Sequence, residues 1–308
     1  MSQKITPCLW FDKECEEAIN FYTATFNDSR IVSIERYPEG KQIGPMSGME
    51  GKILTAIFEL AGQRFMALDG GPIFKLNPAI SFQVKCKSKD EVDELWEKLS
   101  KDGQVLMPLD KYPFSERYGW CNDKYGVSWQ VIFVGENEIE QKITPFLMFV
   151  GDMAGKAEEA INYYISVFSQ GSSKVNNILR YGAGEEPDKE GTVRYADVTI
   201  FGQQFVAMDS AHEHKFQFNE ATSFQVECES QQELDGYWDQ LSAVPESEQC
   251  GWLKDKYGVS WQIIPKRLGE LLADKDKVKA GRVMDAMLNM KKIVIADLEK
   301  AYEEGDSK

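Results

Sequence analysis

Short bursts of apolar residues recur along the chain, and their period switches between two and about 3.6. Ile5 to Phe11 is an apolar, β-rich run with a proline near its start, which predicts a strand. Glu14 to Thr25 predicts a helix, because Ala18, Ile19, Tyr22 and Phe26 fall on one face. Arg30 to Tyr37, Lys52 to Leu60 and Arg64 to Leu68 predict three strands, with Ala61-Gly62-Gln63 as the tight turn between the last two. The order then restarts. Ala79 to Cys86 predicts a strand, and Asp90 to Ser100 a helix facing inward through Val92, Leu95, Trp96 and Leu99. Further strands are expected near Val105, around Gly119 to Cys121 and at Val127 to Phe133, the last two joined by the turn-forming Asp123-Lys124-Tyr125-Gly126.

The same series then occurs again. Lys4-Ile5-Thr6-Pro7 returns as Lys142-Ile143-Thr144-Pro145, and Glu16-Glu17-Ala18-Ile19-Asn20 as Glu158-Glu159-Ala160-Ile161-Asn162. Ser81-Phe82-Gln83-Val84 returns as Ser223-Phe224-Gln225-Val226. Gly119 to Ile132 and Gly251 to Ile264 differ only at Cys121/Leu253, Asn122/Lys254 and Val131/Ile263. Segments that keep their order over a whole half mark a tandem repeat. The expected fold class is therefore α+β: four βαβββ units forming two tandem domains, residues 1–135 and 142–266. Gly135 to Gln141 serves as linker, and 267–308 is a helical C-terminal tail with a stripe through Leu268, Leu271, Val283, Met287 and Leu298. One such unit is too small to bury its sheet face alone. Units must pair, and each copy is expected to enclose a small-molecule cleft.

Composition narrows the function. A net charge of −15 disfavours a broad nucleic-acid face. No apolar run reaches the roughly 20 residues of a membrane span, and the N-terminus lacks a secretory signal, so a cytoplasmic setting without membrane contact is expected. The six cysteines form no C-x-x-C pair and read as reduced, buried thiols.

Paired βαβββ units resemble the vicinal oxygen chelate superfamily, which includes glyoxalase I, bleomycin-resistance proteins and extradiol dioxygenases. The resemblance is closer to its PhnB-like branch. It rests on Ile5-Thr6-Pro7-x-Leu9-Trp10-Phe11, Phe65-Met66-Ala67-Leu68-Asp69-Gly70-Gly71-Pro72 and the Gly-Trp-x-x-Asp-Lys-Tyr-Gly-Val-Ser-Trp-Gln blocks at Gly119 and Gly251. That branch is often labelled 3-demethylubiquinone-9 3-methyltransferase-like. The chain has no glycine-rich loop on a Rossmann unit for a methyl-donor nucleotide, so methyl transfer is not the expected activity.

The resemblance also implies where a metal would be held. Its positions fall on Thr6, Met66 or Leu68, Ala79 and Gln130 in the first copy, and on Thr144, Val206 or Met208, Ala221 and Gln262 in the second. Methyls, thioethers and neutral amides are poor ligands for the usual divalent ions, so neither a metal nor another cofactor is expected. His212 and His214 are the two histidines; with Asp209 nearby they are weak metal candidates, and a polar loop is the plainer reading. Asp69 and Asp209 end equivalent strands and are weak candidates for a catalytic base, with turn capping as the alternative. Cys250 is a weak candidate nucleophile, since Tyr118 stands at its place in the first copy.

Ligand-binding candidates are the neutral polar groups on otherwise apolar strands, Ser81, Gln83, Gln130, Ser223, Gln225 and Gln262, together with Trp10, Trp120 and Trp252 as aromatic walls. The first expectation is a small-molecule-binding protein whose ligand the sequence does not name. A glyoxalase- or dioxygenase-like enzyme, metal-free or metal-dependent in the second domain only, is the alternative. A structural role, with the two domains packed on each other as a dimer is and open to further homo-oligomerisation, is the third. Specificity is assigned to the loops Pro38 to Gly51 and Gly182 to Gly191.

Overall fold

The structure, a computed structural model, describes residues 3–37, 48–169 and 171–304. Most of the Pro38 to Gly51 loop lies outside them. The predicted order of elements is present in full in the first copy, and in the second except that two strands rather than three follow its second long helix. The first copy runs β1 (Ile5–Phe11), α1 (Cys15–Thr25), β2 (Arg30–Arg36), β3 (Ile53–Leu60), β4 (Gln63–Asp69), β5 (Ile80–Cys86), α2 (Lys89–Ser100), β6 (Gln104–Tyr112), β7 (Ser115–Asn122) and β8 (Ser128–Phe133). The second copy runs β9 (Ile143–Phe149), α3 (Ala157–Val167), β10 (Lys174–Arg180), β11 (Val193–Ile200), β12 (Gln203–Asp209), β13 (Thr222–Cys228), α4 (Gln231–Leu241), β14 (Trp252–Lys254) and β15 (Ser260–Pro265). The tail forms α5 (Lys266–Leu272), α6 (Lys277–Leu288) and α7 (Ile295–Glu303). No helix among the described residues is long and apolar enough to cross a membrane.

The chain divides into two compact units, Thr6–Thr222 and Ser223–Lys308 with the short Ser2–Ile5 segment. In the first unit, β1 pairs in parallel with β4, which continues antiparallel through β3 to β2. An eight-stranded sheet in the same unit has the order β10-β11-β12-β9-β5-β8-β7-β6. It joins the second half of copy one to the first half of copy two. The seam is an antiparallel ladder in which Ser81 faces Phe146 and Gln83 faces Thr144. The expectation that each copy closes a cleft of its own is changed here, because Ser81, Gln83 and Gln130 share their sheet with the other copy. The two halves of copy one meet instead through a core in which Leu9, Ile19, Tyr22 and Phe65 pack with Phe82, Leu95 and Trp129.

In the second unit, β13 pairs in parallel with β15 and β14 lies antiparallel on the far side of β15. Helices α5 to α7 bury Leu268, Leu271, Val283 and Leu298 of the expected stripe. Asp276 caps α6 by accepting the N–H groups of Val278 and Lys279, and Arg282 ties α6 to the carbonyls of Ala301 and Tyr302.

Candidate functional site on the eight-stranded sheet

Side chains of a strand alternate between its two faces. Phe82, Val84, Trp129, Val131 and Ile143 belong to the core that packs on α2. Their neighbours Ser81, Gln83, Lys85, Gln130 and Thr144 therefore point the other way, to what we call the inner face. Ladder register sets them side by side, with Thr144 opposite Gln83 and Gln83 opposite Gln130. Trp120 of β7 is the next partner of Gln130.

These groups form a connected polar strip. The Tyr118 hydroxyl donates to Gln130 Oε1 at 2.9 Å, and Gln130 Nε2 donates to Ser81 Oγ at 2.8 Å. Tyr195, contributed by copy two, donates to Gln83 Oε1 at 3.4 Å. Trp120 Nε1 donates to Ser128 Oγ at 2.9 Å. Burial pushes the Tyr118 phenol well up and that of Tyr195 to about 12, so both stay protonated donors near neutral pH. Thr144 is 0% exposed and its hydroxyl has no hydrogen-bond partner. A buried hydroxyl is normally satisfied, so this orphan marks a place where a donor and acceptor are held ready.

The strip runs toward a rim. Tyr112 stacks on Phe114, and both meet the buried Tyr118 ring edge-on with centroids 5.5 and 4.9 Å away. Tyr112, Phe114, Ser115 and Ile132 line a cleft of about 430 Å³. Ile132 stands between Lys85 and Tyr118 in the ladder, so the cleft borders the end of the strip. Gly119 is a matter of packing on the other face. A Cβ there would lie 2.5 Å from the Trp96 ring of α2.

The corresponding groups of copy two repeat part of this pattern within the second unit. Gln262 Nε2 donates to Ser223 Oγ at 3.0 Å, Trp252 pairs with Gln262 in the ladder, and the buried Ser260 Oγ has no partner. Gln225 faces Gln262 across β13 and β15. Trp10 is placed elsewhere, donating through Nε1 to the Gly71 carbonyl at 2.7 Å and meeting Phe74 edge-on.

The aspartates at the strand ends are occupied with backbone. Helix α1 has no side-chain cap of its own, and Asp69 Oδ1 accepts the Cys15 N–H at its start. Asp209 does the same for α3, accepting from Gly155 and Ala157 through Oδ1 and from Val193 through Oδ2. Burial raises Asp69 to about 6, the Cys15 N–H pulling the other way, and burial likewise raises Asp209. Cys250 is half-buried with φ at 53°, its N–H donates to Met290, and burial raises its thiol pKa, which disfavours the thiolate. His212 approaches Asp188 at 3.5 Å, while His214 Nε2 meets Ser210 Oγ at 2.8 Å and is pushed down in pKa by burial and by His212.

Of the positions the resemblance implied for a metal, Gln130, Thr144 and both alternatives Val206 and Met208 come to one sheet, from different copies. Ala79 precedes β5 and uses its carbonyl on Met148 N–H. The donors assembled at the strip are neutral amides and hydroxyls, which do not fit a zinc- or nickel-type ion. Among the described residues no group of three or more His, Cys, Asp or Glu is arranged to hold a metal. Tyr118, Tyr195, Lys85 and Thr144 are the strip residues that the choice of ligand-binding candidates left out. Of these, Thr144 and Tyr118 carried a signal, as an implied metal position and as the counterpart of Cys250; Tyr195 and Lys85 carried none.

A profile of the 3-demethylubiquinone-9 3-methyltransferase family matches residues 3–132 and 141–264. The chain belongs to this family. The two matched segments are the two copies of the repeat. A PhnB protein from Bacillus cereus, described as a 3-demethylubiquinone-9 3-methyltransferase, is 48% identical over 43% of this chain and 100% of its own, with a TM-score of 0.40. Glyoxalase I from Zea mays is 9% identical over 83% of this chain and 92% of its own, with a TM-score of 0.51. That likeness is one of fold alone, that of glyoxalase I. No curated protein matches the chain.

Proposed function

We propose that the inner face of the eight-stranded sheet binds a small polar organic molecule, held by Ser81, Gln83, Gln130 and Thr144 and walled by Trp120, Phe146 and Tyr195. The observation that carries this reading is the Thr144 hydroxyl, fully buried and without a partner beside a network in which Gln130, Ser81 and Gln83 each make a side-chain hydrogen bond. An unmade buried hydrogen bond costs about 1–3 kcal/mol, and a ligand that made it would recover that cost. Entry is assigned to the rim cleft, where Phe114 is exposed and Tyr112 covers Tyr118. Methyl transfer is suggested by the family's description, and no geometry on the inner face adds to it. A catalytic base is not needed by this reading, and Asp69 and Asp209 support it by fixing the helix starts. The test is a thermal-shift screen of small uncharged and singly charged organic molecules. Compounds are expected that raise the melting temperature of the wild type and lose that effect in Thr144→Val and Gln83→Leu. A screen in which every stabilising compound acts equally on the variants would sink the proposal.

A further inference from the structure

We infer that Lys85 is the charged anchor of this site and that the ligand carries a carboxylate or similar acidic group at one end. This rests on the inner face being a binding surface and adds the ligand's charge. Lys85 follows Gln83 by two residues on β5, on the same face, and its ladder partner Ile132 lines the rim cleft. Its ammonium is half-buried and donates one hydrogen bond, to the neutral Gln204 Oε1 at 2.8 Å. An ammonium has three donors. Among the described residues no carboxylate forms an ion pair with Lys85. Asp197 and Glu140 act on it from a longer distance, and Glu140 is held by Gln204 Nε2 at 2.8 Å.

A half-buried cation with one neutral partner is held less favourably than one completed by an anion. Burial accordingly pulls Lys85 below the usual lysine range, with Asp197 and Glu140 opposing. The fold does not require a lysine here. The equivalent residue of copy two, after the identical Ser-Phe-Gln-Val, is the exposed Glu227. The second observation is Thr144, whose unpartnered hydroxyl lies opposite Gln83, one step of the same face from Lys85. Diagonal neighbours on adjacent strands are about 7–8 Å apart. The matching ligand therefore carries an acid at one end and an uncharged hydrogen-bonding group at about that distance.

Terephthalamate and terephthalamide have this geometry and differ only in whether one end is a carboxylate or an amide. Binding of both to the full chain would be measured by titration calorimetry in low salt, for wild type, Lys85→Met and Thr144→Val, with unfolding midpoints verifying that each variant folds. The acid is expected to bind roughly 10–100-fold tighter than the amide, as a charge-assisted hydrogen bond adds. Lys85→Met should abolish that preference by weakening the acid far more than the amide, while Thr144→Val weakens both. Equal affinities in the wild type, or a preference that survives Lys85→Met, would overturn the anchor alone, provided Thr144→Val still weakens both. Failure of both probes to bind, or indifference to Thr144→Val, would overturn the binding surface and the anchor with it.

Discussion

Replacing Thr144 by valine exchanges a hydroxyl for a methyl of nearly the same shape at a position that is 0% exposed. The wild-type hydroxyl makes no hydrogen bond, although it is surrounded by the strip formed with Gln83 and Gln130. Leaving a buried hydroxyl unsatisfied costs about 1–3 kcal/mol, and burying a methyl in its place adds up to about 0.8 kcal/mol. Some of that gain is lost because the valine methyl faces amides, so the net expectation is a stabilisation of about 1–2 kcal/mol. Most core substitutions destabilise by about 1 kcal/mol, so the sign alone discriminates. Urea unfolding followed by tryptophan fluorescence at constant slope would read it, as would a melting temperature raised by roughly 2–4 °C per kcal/mol. The same variant should bind ligand more weakly, which is the trade between stability and function expected of a site kept unsatisfied for a partner. A loss of roughly 0.5 kcal/mol or more in Thr144→Val would refute the reasoning, since it would mean that the hydroxyl already has a partner in the free protein.

Ser81→Ala should act oppositely, losing about 1–3 kcal/mol because it strands the buried Gln130 amide; an unchanged urea midpoint would contradict the strip as drawn. Asp123 accepts from the Tyr22 hydroxyl, Trp129 Nε1 and the N–H groups of Tyr125 and Val127, and burial raises it from 3.8 to about 6. A raised acid favours the folded state while protonated, so its contribution is complete below about pH 3.8 and is lost as pH rises through about 6, a change of about 3 kcal/mol. The stability difference between wild type and Asp123→Asn should therefore move against the wild type over that window, and a flat difference from pH 4 to 8 would contradict it. Asp209→Ala frees three backbone N–H groups at the start of α3 and at Val193, and should cost about 3 kcal/mol or more by chemical denaturation. Gly119→Ala would force a Cβ to 2.5 Å from the Trp96 ring and should lower the melting temperature, by about 1–3 kcal/mol of overpacking, without altering probe selectivity.

Periodicity and repetition were enough to read the βαβββ series, because each strand and helix reports its own buried face locally: Ala18, Ile19 and Tyr22 on α1, or Phe82 and Val84 on β5. Alternation also placed Ser81, Gln83 and Gln130 together on the face away from the core. What the chain's own order did not contain is which edges meet. β5 pairs with β9 because two exposed edges of compatible register find each other, so a sheet runs from copy one into copy two and brings Thr144 and Tyr195 to Gln83. Long-range packing likewise decided the surroundings of the two aspartates and of Lys85. Asp69 and Asp209 reach helix starts more than 50 residues away, which no local motif announces. Lys85 looks in sequence like any surface lysine on a strand; only the packing around its ammonium leaves it half-buried with a single neutral partner. Local pattern determined the elements and their inner faces, and tertiary pairing decided which of those faces share one site, because hydrogen bonding between strand edges is set by space and not by sequence neighbourhood.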